Sequence, residues 1–158
     1  MRMSPAALHR DAVLQCTFSK DGKALASVSA DKTGRLYKIR PGAGEFVPGT
    51  EIKELEGHKA AVNAVQFSPE GSLLVTGSND YTIRVWERNQ GKCVSKINCG
   101  GPVRQLCFAP FDGNRTTPVH LACISANRIE IWNIDEQEQK FQQEFPEEIQ
   151  LTVSKISL

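Results

Sequence analysis

Short apolar runs separated by turn residues fill the stretch from residue 57 to residue 87. The runs are residues 62–67, 73–77 and 82–86, and the turns between them are Ser68-Pro69-Glu70-Gly71 and Ser78-Asn79-Asp80. The third run alternates polar and apolar positions, and no helical period fits the stretch. Short β-branched runs joined by Pro, Gly, Asn and Asp are typical of antiparallel strands connected by tight turns. The pattern therefore predicts a meander of β-strands.

The same pattern occurs three times along the chain. Residues 9–37 repeat residues 58–86 at a constant offset of 49, because 58−9, 67−18, 80−31 and 86−37 are all equal. In a third copy, residues 103–108 match 62–67 at an offset of 41 (108−67), and residues 128–133 match 82–87 at an offset of 46 (132−86). Repetition of this kind predicts an architecture built from similar supersecondary units.

A fourth short run completes each repeat. Residues 51–55, 92–97 and 140–145 supply these fourth strands. Residues 40–50 are rich in Gly and Pro and are predicted to form a loop, which lengthens the first repeat. The predicted units are residues 9–56, 57–98 and 99–146, and 147–158 hold a possible first strand of a further unit. Together they make one domain, residues 1–158.

Several residues of the central repeat resemble the WD repeat. They are Gly57-His58 at its start, Ser68-Pro69-Glu70-Gly71 in its first hairpin, Asp80 in its second hairpin, and Trp86-Glu87 at its end, where the family has Trp-Asp. The resemblance implies an all-β fold, a partial β-propeller of about three four-stranded antiparallel blades with the start of a fourth. It also implies a hydrogen-bonded set inside the blade, made of His58, Ser78, Asp80 and Trp86.

The other two copies keep this set incompletely. His9 and Asp31 occupy the matching positions of the first blade, where Tyr37 replaces the tryptophan and weakens the set. The third copy has Gly100-Gly101 instead of Gly-His and no aspartate aligned with Asp80, so its polar set is predicted to be missing. A histidine beside an aspartate could also be catalytic or hold a metal ion, but the repeat context favours an internal hydrogen bond.

The composition narrows the class of function. The 158-residue chain has a formal net charge of +1 and 40% hydrophobic residues, which predicts a globular protein without an electrostatic case for binding nucleic acid or a membrane surface. Its five cysteines show no CxxC spacing, and its N-terminus lacks the apolar core of a signal peptide. These features predict a cytoplasmic or nuclear protein that is not secreted. No nucleophile–base pair, phosphate loop or metal-ligand spacing appears. We therefore expect no catalytic residue, no cofactor or metal, and no enzyme activity.

Binding is the class of function that remains. In the family that the chain resembles, other proteins dock on one propeller face, near the entry of the first strand and the second hairpin. The matching residues here are Asn63, Asn79, Tyr81 and Arg104, and the alternative is that these are ordinary exposed turn residues. The favoured function is a noncatalytic protein–protein interaction scaffold or adaptor. The alternative is the propeller part of a larger enzyme or of a ubiquitin-ligase substrate receptor.

Three blades are too few to close a ring, since propellers close with about four to eight. Either the chain is a truncated form of a longer propeller or a partner covers the open ends, and the sequence favours truncation because it stops inside a repeat. The apolar residues expected on these ends are Val13, Leu25 and Leu36 in the first blade, and Leu121, Ile124, Ile129 and Ile131 in the third. Their exposure predicts self-association.

Overall fold

The computed structural model describes residues 9–41, 46–110, 119–135 and 140–144, and these residues form strands and turns. The strands are β1 (Val13–Phe18), β2 (Ala24–Ser29), β3 (Gly34–Pro41), β4 (Phe46–Leu55), β5 (Val62–Phe67), β6 (Leu73–Ser78), β7 (Thr82–Glu87), β8 (Lys92–Asn98), β9 (Val103–Phe108), β10 (Val119–Ser125), β11 (Arg128–Asp135) and β12 (Lys140–Glu144). Within these ranges there is no helix, and hence none with the length and hydropathy to cross a bilayer.

The strands form three antiparallel sheets of four consecutive strands each. We name the sheets blade 1 (β1–β4), blade 2 (β5–β8) and blade 3 (β9–β12). Neighbours in sequence are neighbours in each sheet, so every blade is a meander. Gly71, in the turn between β5 and β6, has a φ of 77°, a left-handed conformation that glycine adopts without steric cost. The architecture confirms the prediction of an all-β partial propeller with three four-stranded blades.

Apolar side chains fill the two spaces between neighbouring blades. Fully buried residues at the interface of blades 1 and 2 are Ala26, Val28, Val62, Val65 and Leu74, and those at the interface of blades 2 and 3 are Val75, Ile83, Val85, Val103 and Leu121. Successive residues of a strand point to opposite faces, so blade 2 supplies apolar side chains to both spaces. Burying one Val or Leu side chain contributes about 1.5–3 kcal/mol, which makes these two interfaces the core of the molecule.

The packing of blade 3 on blade 2 depends on a missing side chain. A Cβ built on Gly77 would overlap Cγ1 of Val103. The corresponding residue of blade 1 is Val28 (77−49), which is fully buried in its interface with blade 2. Blade 3 therefore approaches the backbone of β6 more closely than a residue larger than glycine at position 77 would permit.

The outward face of blade 1 exposes apolar side chains that are buried in blade 2. Val13 and Phe18 are 55% and 57% exposed, whereas the matching Val62 and Phe67 are 0% and 7% exposed. The difference arises because blade 1 covers this face of blade 2. Among the described residues, nothing covers the same face of blade 1 to that extent.

Two of the residues predicted on the open ends are buried instead. Leu36 and Leu121 are 5% and 0% exposed, and each lies in the core between two blades. The alternation of side chains along β3 and β10 points them inward, so that part of the prediction is wrong. The partly exposed members of the predicted set are Leu25, Ile124, Ile129 and Ile131.

The predicted loop over residues 40–50 is also wrong for residues 40–41 and 46–50, which lie in strands, whereas residues 42–45 lie outside the described residues. β3 continues to Pro41, β4 begins at Phe46, and these two residues pair with each other. Pro48 is tolerated in β4 because β4 is an edge strand, and because the register shifts opposite it, between Tyr37 and Ile39. The possible further strand in 147–158 lies outside the described residues.

Candidate functional site

Four side chains of blade 2 form a continuous chain of hydrogen bonds. The indole Nε1–H of Trp86 donates to Oγ1 of Thr76 at 2.9 Å, and the same oxygen lies 2.8 Å from Nε2 of His58. Nδ1 of His58 lies 2.9 Å from Oδ2 of Asp80. The chain thus connects β7, β6, the link that precedes β5 and the turn between β6 and β7.

The proton positions in this chain follow from the groups that can donate. A carboxylate only accepts, so Nδ1 of His58 carries the proton donated to Asp80, and Nε2 of the neutral ring accepts from the Thr76 hydroxyl. The Thr76 oxygen in turn accepts from Trp86, so every bond points from Trp86 towards Asp80. Hydrogen bonds aligned in this way polarise one another, and the chain is stronger than its separate pairs.

Both oxygens of Asp80 accept hydrogen bonds. Oδ1 accepts from the backbone N–H and the hydroxyl of Thr82 at 3.0 and 2.6 Å, and Oδ2 accepts from His58 and from the N–H of Lys59 at 2.9 and 2.8 Å. Burial raises the pKa of Asp80, but the hydrogen bonds from Thr82, Lys59 and His58 outweigh it and lower the pKa from 3.8 to about 2. The carboxylate is therefore held in its charged form.

The His58 ring is held neutral by its surroundings. Burial is the main cause that lowers the pKa of His58 below 6.5, and the hydrogen bond to Asp80 opposes it only in part. The side chains of His58 and Asp80 are 1% and 8% exposed. Both imidazole nitrogens have partners inside the blade, so the arrangement can cross-link strands but directs no nitrogen at a bound ligand.

Blade 1 repeats this chain with smaller and weaker groups. Nδ1 of His9 lies 2.9 Å from Oδ2 of Asp31, and Nε2 lies 2.8 Å from Oγ of Ser27. Ser27 lies 3.3 Å from the phenol oxygen of Tyr37, whereas the corresponding bond in blade 2 is 2.9 Å long. A contact of that length is at the weak end of the hydrogen-bond range, so the hydrogen bond to the aromatic residue is weaker in blade 1 than in blade 2.

Ser78, which the sequence analysis placed in the set, lies beside the chain. Its hydroxyl lies within donating distance of two carbonyls, those of Ala60 at 3.1 Å and Ala61 at 2.9 Å, and it accepts from the N–H of Asp80 at 3.1 Å. The hydroxyl that bridges histidine and tryptophan belongs to Thr76, two residues earlier, which the sequence analysis missed. The sequence did contain an indication, because Thr76 is the only residue with a polar side chain in the apolar run 73–77.

Equivalent hydrogen bonds align the three blades residue by residue. The hydroxyls of Ser29, Ser78 and Ser125 donate to the carbonyls of Asp11, Ala60 and Gly101, each at 3.1 Å. Cys99 precedes Gly101 by two residues, as His58 precedes Ala60. Cys99 is therefore the blade 3 counterpart of His58, and the alignment of Gly100-Gly101 with Gly-His was displaced by two residues.

Sulfur and carboxylate groups replace the polar chain in blade 3. Cys123 pairs with Glu130 across the sheet as Thr76 pairs with Arg84, so Cys123 is the counterpart of Thr76. Nε1 of Trp132 is buried without a hydrogen-bond partner among the described residues.

The ligand atoms of Cys99, Cys123 and Glu130 lie within 4.8 Å of one another. The Cys123 thiol, burial and the charge of Glu130 together raise the pKa of Cys99. Of the side chains described, these three are the group that could hold a metal ion.

The four residues predicted to bind a partner lie along one edge of blades 2 and 3. Nδ2 of Asn63 donates to Oδ1 of Asn79 at 2.7 Å and to the carbonyl of Val103 at 2.8 Å. Tyr81 is 53% exposed, and Arg104, the residue after Val103, is also exposed. The structure thus brings Asn63 and Asn79 into contact with each other and leaves Tyr81 and Arg104 directed at solvent.

Two stretches of the chain match the family model of the WD domain, G-beta repeat: residues 7–38 and 49–87. The chain is 37% identical over 82 residues to small ribosomal subunit protein RACK1y of Oryza sativa subsp. japonica, covering 52% of this chain and 23% of that protein. It is 30% identical over 135 residues to apoptotic protease-activating factor 1 of Homo sapiens, covering 80% of this chain and 10% of that protein. It is 29% identical over 107 residues to eukaryotic translation initiation factor 3 subunit I of Scheffersomyces stipitis, covering 68% of this chain and 28% of that protein.

The fold is shared with a solved structure. A chain in the crystal structure of the mitotic checkpoint complex matches with a TM-score of 0.67 at 24% identity, covering 87% of this chain and 39% of that one. This chain spans 10% to 28% of the length of the three curated relatives. Residues 7–38 and 49–87 are therefore WD repeats, and the three blades have the architecture of a β-propeller.

Proposed function

We propose that this protein is a noncatalytic interaction scaffold or adaptor, which binds other proteins at the edge of blades 2 and 3. The observation that supports the proposal is the exposure of Tyr81 and Arg104 beside the hydrogen-bonded pair of Asn63 and Asn79. Tyrosine and arginine are enriched among the residues that carry most of the energy at protein interfaces. Because both belong to one edge, a single partner can contact them together.

The backbone of Tyr81 is held in the conformation that presents its ring. Its φ is 69°, its N–H donates to the carbonyl of Ser78 at 3.3 Å, and its carbonyl accepts from the N–H of Cys99 at 2.8 Å. The neighbouring Thr82 is tied to Asp80. An anchor fixed in this way loses little conformational freedom on binding, which favours affinity.

The relatives support a role within protein assemblies. One is named as a ribosomal subunit protein and another as a subunit of a translation initiation factor. We propose the same general setting for this chain, in the cytoplasm or nucleus, with partners whose identity is open. Self-association through Val13 and Phe18 belongs to the same proposal, because these exposed side chains match residues that another blade buries in blade 2. We also propose that these three blades are one part of a longer propeller.

A second candidate is a propeller that forms part of a larger enzyme or of a ubiquitin-ligase substrate receptor. The observation that favours it is the match to apoptotic protease-activating factor 1, of which this chain covers only 10%. The edge of blades 2 and 3 would then bind the protein to be processed, and the chemistry would reside in another domain.

Affinity purification followed by mass spectrometry tests the binding edge. We expect proteins that co-purify with the wild-type chain to be reduced about tenfold or more with a Tyr81→Ala/Arg104→Ala double variant, because truncating an interface anchor costs about 2 kcal/mol or more. Lys20→Ala is the matched control, since Lys20 is exposed in the β1–β2 turn at the opposite edge of a blade. Equal recovery with the double variant and the control, both equally folded by circular dichroism, would refute the assignment of this edge.

A further inference from the structure

We propose that Cys99, Cys123 and Glu130 form a binding site for a divalent transition metal ion, with zinc as the best match. The two Sγ atoms and one carboxylate oxygen lie within 4.8 Å of one another. Thiolate and carboxylate are established zinc ligands, and two thiolates favour zinc over the harder calcium and magnesium ions. Three protein ligands leave a fourth position of a tetrahedral ion for water.

The spacing of the three ligand atoms is close to that of a formed site. Zinc–sulfur bonds of about 2.3 Å and zinc–oxygen bonds of about 2.0 Å place tetrahedral ligand atoms roughly 3.5 to 3.8 Å apart. From the observed upper limit of 4.8 Å, the atoms need to approach one another by at most roughly 1.3 Å. Small side-chain rotations can supply such movements, so no rearrangement of the strands is required.

The fold supplies the three ligands from three separate segments. Cys99 lies in the link between β8 and β9, Cys123 in β10 and Glu130 in β11. Cys123 and Glu130 are direct cross-strand partners, so their side chains stand on the same face of blade 3. Cys123 is 1% exposed, whereas Cys99 and Glu130 are partly exposed and give an ion a route from solvent.

A backbone group orients the carboxylate. The N–H of Gly100 donates to Oε1 of Glu130 at 2.9 Å. Hydrogen bonds of this kind from outside the ligand set fix ligand orientation in metal sites. Because Gly100 follows Cys99 directly, one short segment both contributes a ligand and positions another.

Comparison of the blades shows why the site is confined to blade 3. The counterparts of Cys99 and Cys123 in blade 2 are His58 and Thr76, which are joined to Trp86 and Asp80 by hydrogen bonds. In blade 3 this polar chain is absent and two thiols and a carboxylate occupy its place. Up to three negative charges are gathered there, which a divalent cation would offset, with release of the thiol protons as the metal–sulfur bonds form.

Titration of the reduced, chelator-treated chain with Co²⁺ alone, followed by displacement with Zn²⁺, tests the site. We expect one Co²⁺ per chain, an absorption band from thiolate-to-cobalt charge transfer, and displacement by one equivalent of Zn²⁺. Cys99→Ser and Cys123→Ser should abolish the band. Glu130→Gln should weaken Co²⁺ binding by more than about tenfold, because loss of a group outside the ligand set already costs about 10- to 100-fold and Glu130 is itself a ligand. Cys107→Ser is the control and should bind normally, because Cys107 is exposed and outside the cluster.

A second measurement on the unmodified chain keeps the test decisive if a serine variant fails to fold. Zn²⁺ should protect the partly exposed Cys99, but not the exposed Cys16 and Cys107, from alkylation mapped by mass spectrometry. Absence of protection at saturating Zn²⁺, or protection of all cysteines alike, would overturn the proposal. A Cys99–Cys123 disulfide that persists in the purified chain under reducing conditions would also overturn it and assign the pair to a covalent cross-link.

Discussion

Replacing Thr76 with valine would remove the hydroxyl that joins the two halves of the hydrogen-bonded chain in blade 2, while keeping the shape of the side chain. Thr76 is 1% exposed and Trp86 is 2% exposed, so water cannot replace the lost partner. Nε1–H of Trp86 and Nε2 of His58 would both be left unsatisfied. Each such buried group costs about 1–3 kcal/mol, so we expect a loss of about 2–6 kcal/mol in the free energy of unfolding.

The matched control for this experiment is Thr76→Ser. Serine keeps the hydroxyl and loses one methyl group, which costs about 0.8 kcal/mol through reduced burial. Urea unfolding followed by circular dichroism would measure both variants. With a slope of about 2 kcal/mol per molar urea, Thr76→Val should lower the midpoint by about 1 M or more, and Thr76→Ser by about 0.4 M. A valine variant at least as stable as the serine variant would refute the role of the hydroxyl.

Three further predictions concern the same framework. Trp86→Ala should destabilise the chain more than Tyr37→Ala, by urea midpoint, because Trp86 is buried with a short hydrogen bond and such truncations cost about 3–5 kcal/mol; equal midpoints would contradict the ranking. Burial lowers the pKa of His58 below 6.5, so below that pH the unfolded chain binds more protons than the folded chain. Thermal stability should therefore fall as the pH drops below 6.5, and His58→Gln should reduce this pH dependence. The 158-residue chain should self-associate in sedimentation experiments as its concentration rises, and Val13→Ser/Phe18→Ser should weaken this; a wild-type monomer at all concentrations would show that three blades stand alone.

The strands could be predicted because their information is local. Residues such as Val62, Val65 and Phe67 alternate or cluster within six positions, and the Pro-Glu-Gly turn that follows has few alternative conformations. The hairpin of β3 and β4 could not be predicted in the same way. Its Gly and Pro residues favour a loop by composition, and Pro48 is acceptable because β4 lies at the edge of the sheet and the register shifts opposite it.

The polar chain of blade 2 was only partly accessible from sequence. The His58–Asp80 pair has a spacing that the resemblance implies, whereas the identity of the bridging hydroxyl depends on which residues of β6 face Trp86. That choice follows from the register between β6 and β7, which a sequence does not state. The correspondence of Cys123 to Thr76 is hidden in a linear alignment because the turn between β10 and β11 is one residue shorter than the turn between β6 and β7.

Gly77 gives the contact surface of blade 2 a different shape from that of blade 1, and this difference favours one order of the blades. Repeated units with interchangeable contact surfaces can assemble out of sequence, a recognised route to misfolding in repeat proteins. Here the contact position is Val28 in blade 1 and Gly77 in blade 2, so the recess that accepts Val103 does not exist on blade 1. Blade 3 placed directly on blade 1 would meet a valine where it needs empty space. The absence of a side chain at position 77 thus favours the correct neighbour of blade 3 during assembly. It does so by steric exclusion of the wrong neighbour and needs no additional attractive contact.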